Sequence, residues 1–198
     1  MDCNGCMTCK MYQGGECLKG YDFSEISIQS QTAYQDSQSL DILKVAAEVE
    51  AEGYMEWNRL EELIGFFQKM AWQRVGIANC IGLAKETDQV ARILSRHFEV
   101  ITVCCKNSGI NKDDYGMPHI NPERFEASCN PAGQAFLLKH NDTDVNVIVG
   151  LCVGHDMLFN KYSHAPVTTF AVKDRVLAHN PLGAVYSGYC LRKVMKQG

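Results

Sequence analysis

Cysteine is the residue type in this chain that carries the most chemistry: there are ten in 198 residues. Cys3, Cys6, Cys9 and Cys17 form a C-x2-C-x2-C-x7-C run within "MDCNGCMTCKMYQGGECLKG". Two-residue spacers let neighbouring thiolates wrap one ion or cluster, and the glycines of "QGGEC" let the chain turn back. This is a local pattern for zinc or iron–sulfur ligation. The C-x2-C-x2-C spacing favours a [4Fe–4S] cluster, although the proline that usually follows the last ferredoxin cysteine is missing. A tetrahedral zinc site fits the same residues.

A second group of cysteines is spread along the chain. "VGIANCIGLAKE" and "VIVGLCVGHDML" each read as an apolar strand, a Cys-x-Gly turn and a helix, which puts Cys80 and Cys152 at strand ends. "FEVITVCC" ends a further strand with Cys104 and Cys105, and Cys129 directly precedes the helix of "CNPAGQAFLLKH". Thiolates are stabilised at helix N-termini, so this set suits a second metal or cluster site. Cys104 and Cys105 point in different directions, so one of the two is a ligand. Cys190, in the last helix, reads as packing, because a free cysteine is a small hydrophobe. Thiolates sharing one [4Fe–4S] cluster are expected to lie roughly 6 to 7 Å apart.

The histidines divide by position. His97 and His140 lie at helix C-termini, where a positive charge is favourable, and read as structural. His155 follows the Cys152 turn, and His179 stands before Asn180-Pro181 as Cys129 stands before Asn130-Pro131. Both are candidates for moving protons beside a metal centre, or for simple capping. His119 and His164 have weaker claims.

Hydrophobic periodicity supplies the elements that position these residues. A helix is expected from Ser39 to Gly53 and another over 56–70. Strands over 74–80 and 98–105 flank a helix over 84–97. A helix over 129–140 carries Asn130 as N-cap and Pro131 at its first position. "DVNVIVGLC" and "APVTTFAV" make two more strands, and a last helix runs from Asn180-Pro181 towards Met195. Strands alternating with helices predict an α/β fold: a Rossmann-like, mostly parallel sheet with flanking helices. Ligands of such sheets bind beyond the carboxyl ends of the strands, where Cys80, Cys104, Cys105 and Cys152 fall. The loop over 106–128 is long enough for a lid or binding segment. The organisation expected is a Cys-rich metal-binding segment over 1–20, a linker or arm over 21–37 and the α/β domain over 38–198.

Composition excludes other classes. With 46% apolar residues, 21% charged residues and a net charge of -4, nothing suggests disorder, nucleic-acid binding or a polybasic membrane patch. No apolar run reaches the ~20 residues of a membrane span. The polar, cysteine-rich start does not read as a signal peptide, so a cytoplasmic location is expected, where unpaired thiols favour metal chemistry over disulfides. The phosphate-loop, dinucleotide-binding, G-x-S-x-G and H-E-x-x-H motifs are missing.

The stretches "AAEVEAEGYMEWNRLEELI", "VCCKNSGI", "FEASCNPAGQA", "VGLCVGHDMLF" and "HAPVTTFAVKDRVLAHNP", with the cysteine-rich start, resemble an uncharacterised family of anaerobic archaea and bacteria. That family is described only as cysteine-rich and metal-binding. The resemblance covers nearly the whole chain and implies metal binding and an anaerobic host, without a substrate. "FEVITVCCK" after a Cys-x-Gly turn is also similar to small [4Fe–4S] desulfidases in which three cysteines hold a cluster and leave one iron open. The expected function is therefore that of an enzyme using one or two [4Fe–4S] clusters for Lewis-acid or reductive chemistry. The alternative is a non-catalytic protein binding or handling zinc or another soft metal.

Deleting residues 1–20 is expected to remove one metal centre and leave the α/β domain folded. Full metal content in the truncated chain, measured by elemental analysis, would show that the Cys3–Cys17 run is not a site.

Overall fold

The computed structural model describes residues 10–196. The chain divides into two compact units, Met1–Glu48 and Val49–Gly198. The division falls later than the 37/38 boundary expected, inside helix α2 (Ser37–Gly53), because α2 buries side chains only from Val49 onward.

In the first unit, 21–37 is not an extended arm. It contains helix α1, Ser24–Ala33, which buries no residue. Local hydrogen bonds hold it: the Asp22 carboxylate accepts from the Ser24 amide (2.9 Å), and Gln29 reaches Glu25 one turn back (3.1 Å). The Ser30 and Thr32 hydroxyls donate to the carbonyls of Ile26 and Ile28. A helix stabilised this way carries no apolar stripe, so periodicity gives no sign of it.

The second unit is a mixed α/β fold. Helix α3 (Arg59–Lys69) starts later than periodicity suggested, because Asn58 and Glu61 form a capping box that fixes its first turn. Four strands follow, β1 (Arg74–Asn79), β2 (Glu99–Cys104), β3 (Val145–Val149) and β4 (Val167–Ala171). They form one all-parallel sheet in the order β2-β1-β3-β4. Helices α4 (Ala84–Leu94), α5 (Pro131–His140) and α6 (His155–Tyr162) make the crossovers. The final helix is broken into α7 (Leu182–Tyr186) and α8 (Gly188–Met195), since the Ser187 hydroxyl accepts from the Cys190 amide (3.3 Å) and restarts it.

Strand alternation sorts the core into two layers. Val75, Ile77, Val145, Val147 and Val149 face Leu63 and Phe67 of α3 and Val90 and Leu94 of α4. Ala78 and Ile148 face Ala135 and Leu138 of α5 and Phe159 of α6, together with Cys80 and Cys105. At the amino end of the sheet the Asp144 carboxylate accepts from the amides of Gln73 and Arg74, both at 2.8 Å, and locks the register of β1 against β3. No helix among the described residues is long and apolar enough to cross a membrane.

On the α5 face the buried amide of Asn146 accepts from Thr143 Oγ1 and donates to Ser163 Oγ, both at 2.8 Å. Gly76 leaves the room for it: a Cβ there would sit 2.2 Å from Asn146 Oδ1 and 2.9 Å from both Leu138 methyls. Gly→Ala in a strand normally helps by lowering unfolded-chain entropy, so the sign of this change is diagnostic. Gly76→Ala is expected to destabilise the protein by about 2–3 kcal/mol through overpacking, read as a lowered urea midpoint at unchanged slope.

Candidate functional site

The parallel register delivers the strands to their carboxyl ends together. Asn79 is paired with Cys104 on one side and Val149 on the other, and Val149 with Ala171. The ladder runs one residue further. The amide of Cys80 donates to the Val149 carbonyl (3.1 Å) and that of Cys105 to Asn79 (2.8 Å). Cys80 and Cys105 thus leave the sheet side by side. The Asn130 amide then donates to the Cys105 carbonyl (2.8 Å), which brings Cys129 alongside.

A set of side-chain amides fixes this junction. Asn107 donates to the carbonyls of Cys104 (3.0 Å) and Asn130 (3.1 Å), and Asn130 caps α5 by accepting from the Gly133 amide (2.9 Å). Gln134, fully buried, donates to the carbonyls of Asn79 (3.1 Å) and Val103 (2.7 Å), bridging the ends of β1 and β2 just before their cysteines.

The sulfurs of Cys105 and Cys129 lie 3.7 Å apart, and Cys80 is a second hydrogen-bond partner of Cys105. The three sulfurs titrate together, and Cys105 is the one held towards its neutral form. Its thiol is pushed up chiefly by Cys129 and Cys80 and then by burial, against the pull of the Ile81 amide 3.3 Å from its sulfur. Its proton in turn holds the other two down. Cys80 is lowered first by that hydrogen bond, with help from the Gly82 amide and Lys173, against burial. Cys129 is lowered first by Cys105, and further by Lys106 and His155. A single S–H donates to one sulfur at a time, so the three share it.

The remaining sequence candidates separate clearly. Cys152 is half-buried, and its sulfur accepts from Arg175 Nη2 at 3.3 Å. Of Cys104 and Cys105, it is Cys105 whose sulfur lies beside that of Cys129. Gly154, at φ +86°, turns the chain from Cys152 into α6, and the amide of His155 donates to the Cys152 carbonyl (2.9 Å). His155 is close enough to act on Cys129. His179 serves a loop instead: its Nδ1 accepts from the Asp174 amide (3.1 Å), and its own amide donates to the Asp174 carbonyl (2.8 Å). Cys17 is half-buried in the first unit, whereas Cys3, Cys6 and Cys9 lie outside the described residues.

Sequence reasoning missed the cations. Lys173 and Arg175 follow β4 in "AVKDR", at the same sheet edge as the cysteines, and strand-end position was the signal that marks them. Lys173 stands over Gly82, where an added Cβ would meet its Nζ at 2.8 Å and Cys80 Sγ at 4.0 Å. Lys106 donates to the Ala127 carbonyl (2.5 Å) at the root of the long loop. That loop is ordered around the Glu126 carboxylate, which accepts from Lys112 and from the amides of Ile120 (2.9 Å) and Asn121 (3.1 Å).

The donor set can be tested against a metal. Thiolates about 2.3 Å from one tetrahedral ion lie about 3.8 Å apart, which the Cys105–Cys129 separation of 3.7 Å matches. It is shorter than the cluster spacing expected from the sequence. Among the described residues, no group of three or more His, Cys, Asp or Glu side chains is arranged to hold an ion.

A family model described as "Protein of unknown function (DUF1847)" matches residues 19–170. The chain is 48% identical over 196 residues to an uncharacterized protein of Methanocaldococcus jannaschii, covering 99% of each. No solved structure matches.

Alkylation by iodoacetamide tests the shared proton. In metal-free protein, Cys80 and Cys129 are expected to keep reacting as thiolates well below the ~8.5 of a free thiol. In Cys105→Ala the proton donor is gone, the pKa of each rises, and both should slow at pH ~6 to 7. Equal pH profiles in the two proteins, followed by mass spectrometry, would refute the shared-proton arrangement.

Proposed function

The chain belongs to that family of unknown function, and from this premise we propose that it is a thiolate metal protein whose centre is held at the strand ends by Cys80, Cys105 and Cys129. The observation that carries the reading is the convergence of these three cysteines, from β1, β2 and the start of α5, with two sulfurs 3.7 Å apart. The donor chemistry agrees, since soft thiolates select zinc, copper(I) or iron–sulfur centres. Bound there, such a centre supplies a Lewis acid.

The chain's own residues do the rest. Ligating thiols must be deprotonated, so an ion bound by all three would displace the proton that they share in the metal-free protein. Lys106, Lys173 and Arg175 offset the negative charge of the sulfurs. His155, at the first position of α6 and acting on Cys129, is our candidate for exchanging a proton with a molecule held there. His179 Nδ1 accepts from the Asp174 amide and so helps to shape the loop after β4. This division supports an enzyme whose chemistry lies at this edge.

The separation of 3.7 Å favours a single ion over a cubane cluster. The cluster reading draws support from Cys152, a fourth thiol at the same edge with a cation already beside it. The unpaired thiols among the described residues suit the reducing cytoplasm of an anaerobe.

Protein purified without oxygen is expected to hold about one soft ion at this edge. Cys105→Ser and Cys129→Ser should lose it, and Cys104→Ser should retain it. Colourless protein with stoichiometric zinc supports the single ion, and brown protein absorbing near ~400 nm with acid-labile sulfide supports the cluster. Metal content unchanged in both Cys105→Ser and Cys129→Ser would overturn the site.

A further inference from the structure

We infer that the cationic rim of this sheet edge is a binding site for a small oxyanion, which gives the substrate class of the site. The inference rests on reading the strand ends as the functional edge, and it holds whichever centre, or none, occupies the thiolates. Three cations gather there in a chain whose net charge is -4. Lys173 Nζ extends over Gly82 beside Cys80, Arg175 Nη2 lies 3.3 Å from Cys152 Sγ, and Lys106, directly after Cys105, holds the Ala127 carbonyl two residues before Cys129.

The carboxylates nearest in sequence are committed elsewhere. Asp174 accepts from the amides of Val176 and Leu177, both at 2.9 Å, and Asp156 from those of Gly154 (3.0 Å) and Met157 (2.8 Å). Among the described residues, neither Lys173 nor Arg175 has a carboxylate partner. Arg175 spends one N–H on a sulfur, leaving most of its planar fork for an anion that accepts two parallel hydrogen bonds. The amino ends of α5 and α6 open on the same edge and add to the positive potential.

The shape of the loop after β4 serves this placement. Asp174 and His179 close it through hydrogen bonds to each other's backbone, and this presents Lys173 and Arg175 on the same edge. Gly82 clears the space into which Lys173 extends. A carboxylate, a phosphate and a sulfur oxyanion share the chemistry that this rim recognises. Any of them would be held with its reacting end towards the sulfurs of Cys80 and Cys129.

Two alkylating reagents that differ in charge test this on the full-length, metal-free protein. Iodoacetate carries a carboxylate and iodoacetamide does not, so the ratio of their rates at Cys80 and Cys129 reports anion attraction independently of thiolate content. The ratio is expected to exceed that of a cysteine peptide. Arg175→Gln and Lys173→Gln should each reduce it about fivefold, the effect of one unit charge about 4 Å away in water. Any change in thiolate content that the substitutions cause slows both reagents alike, so the iodoacetamide rate of each variant normalises for it and only the ratio is read. Inorganic sulfate, phosphate and acetate, compared with chloride at equal ionic strength, should slow iodoacetate selectively, and the most effective of them identifies the oxyanion favoured. A ratio equal to the peptide's, insensitive to all three anions and to both substitutions, would overturn the inference. Metal analysis of the anaerobically purified protein gives a separate answer, so loss of the metal reading and loss of the anion site are distinguishable.

Discussion

The site depends on the register of four parallel strands. A parallel ladder has evenly spaced, slanted bonds, and a slip of one residue would turn every side chain to the opposite face. Here the register is fixed at both ends of β1: by the Asp144 carboxylate at the amino end, and at the carboxyl end by the Cys80 amide on Val149 and the Cys105 amide on Asn79. One residue of slip would put Cys104 in the place of Cys105 and turn the Cys105 sulfur away from that of Cys129. The Gln134 amide, spanning the carbonyls of Asn79 and Val103, holds the same two strand ends from the side.

Electrostatics then work on a geometry already set. Burial alone would keep all three thiols neutral. Their mutual contact reverses this for Cys80 and Cys129, because a proton shared among the three sulfurs leaves those two lowered while Cys105 is raised. Lys106 and Lys173 add to an effect that the sulfurs produce among themselves. The site is therefore polar in a layer that is otherwise apolar, with Ala135, Leu138, Ile148 and Phe159 packed directly beneath it.

Much of this was legible from the residues. Three of the four apolar runs ended in a cysteine or just before one, so the strand-end rule put Cys80, Cys105 and Cys152 at one edge, and the helix start after Cys129 put it there too. Asn130-Pro131 marked the start of α5 to the residue. Helix α1 was not legible, since its stabilising bonds are local and polar and it buries nothing. The spacing of the sulfurs was not legible either, because it depends on side-chain rotamers and on which of two adjacent cysteines faces the cluster. Asn180-Pro181 resembled Asn130-Pro131 and suggested a matching role for His179. The sequence similarity hid a difference in backbone: His179 sits at φ +63° in a closed loop, and its ring secures that loop.

The order in which these parts are synthesised has a consequence for how the protein matures. Parallel pairing makes every ladder non-local, so no strand finds its partner through a hairpin, and such folds close slowly. β1 is made first among the strands, yet it lies between β2 and β3, and the Cys80 amide has no acceptor until Val149 is made. The loop that supplies Lys173 and Arg175 follows last of all. During synthesis there is thus an interval in which the strand-end thiols exist without Lys173 and Arg175, exposed to stray metals and oxidants. Maturation in such a chain favours surroundings poor in both, or a partner that shields the thiols until β4 docks.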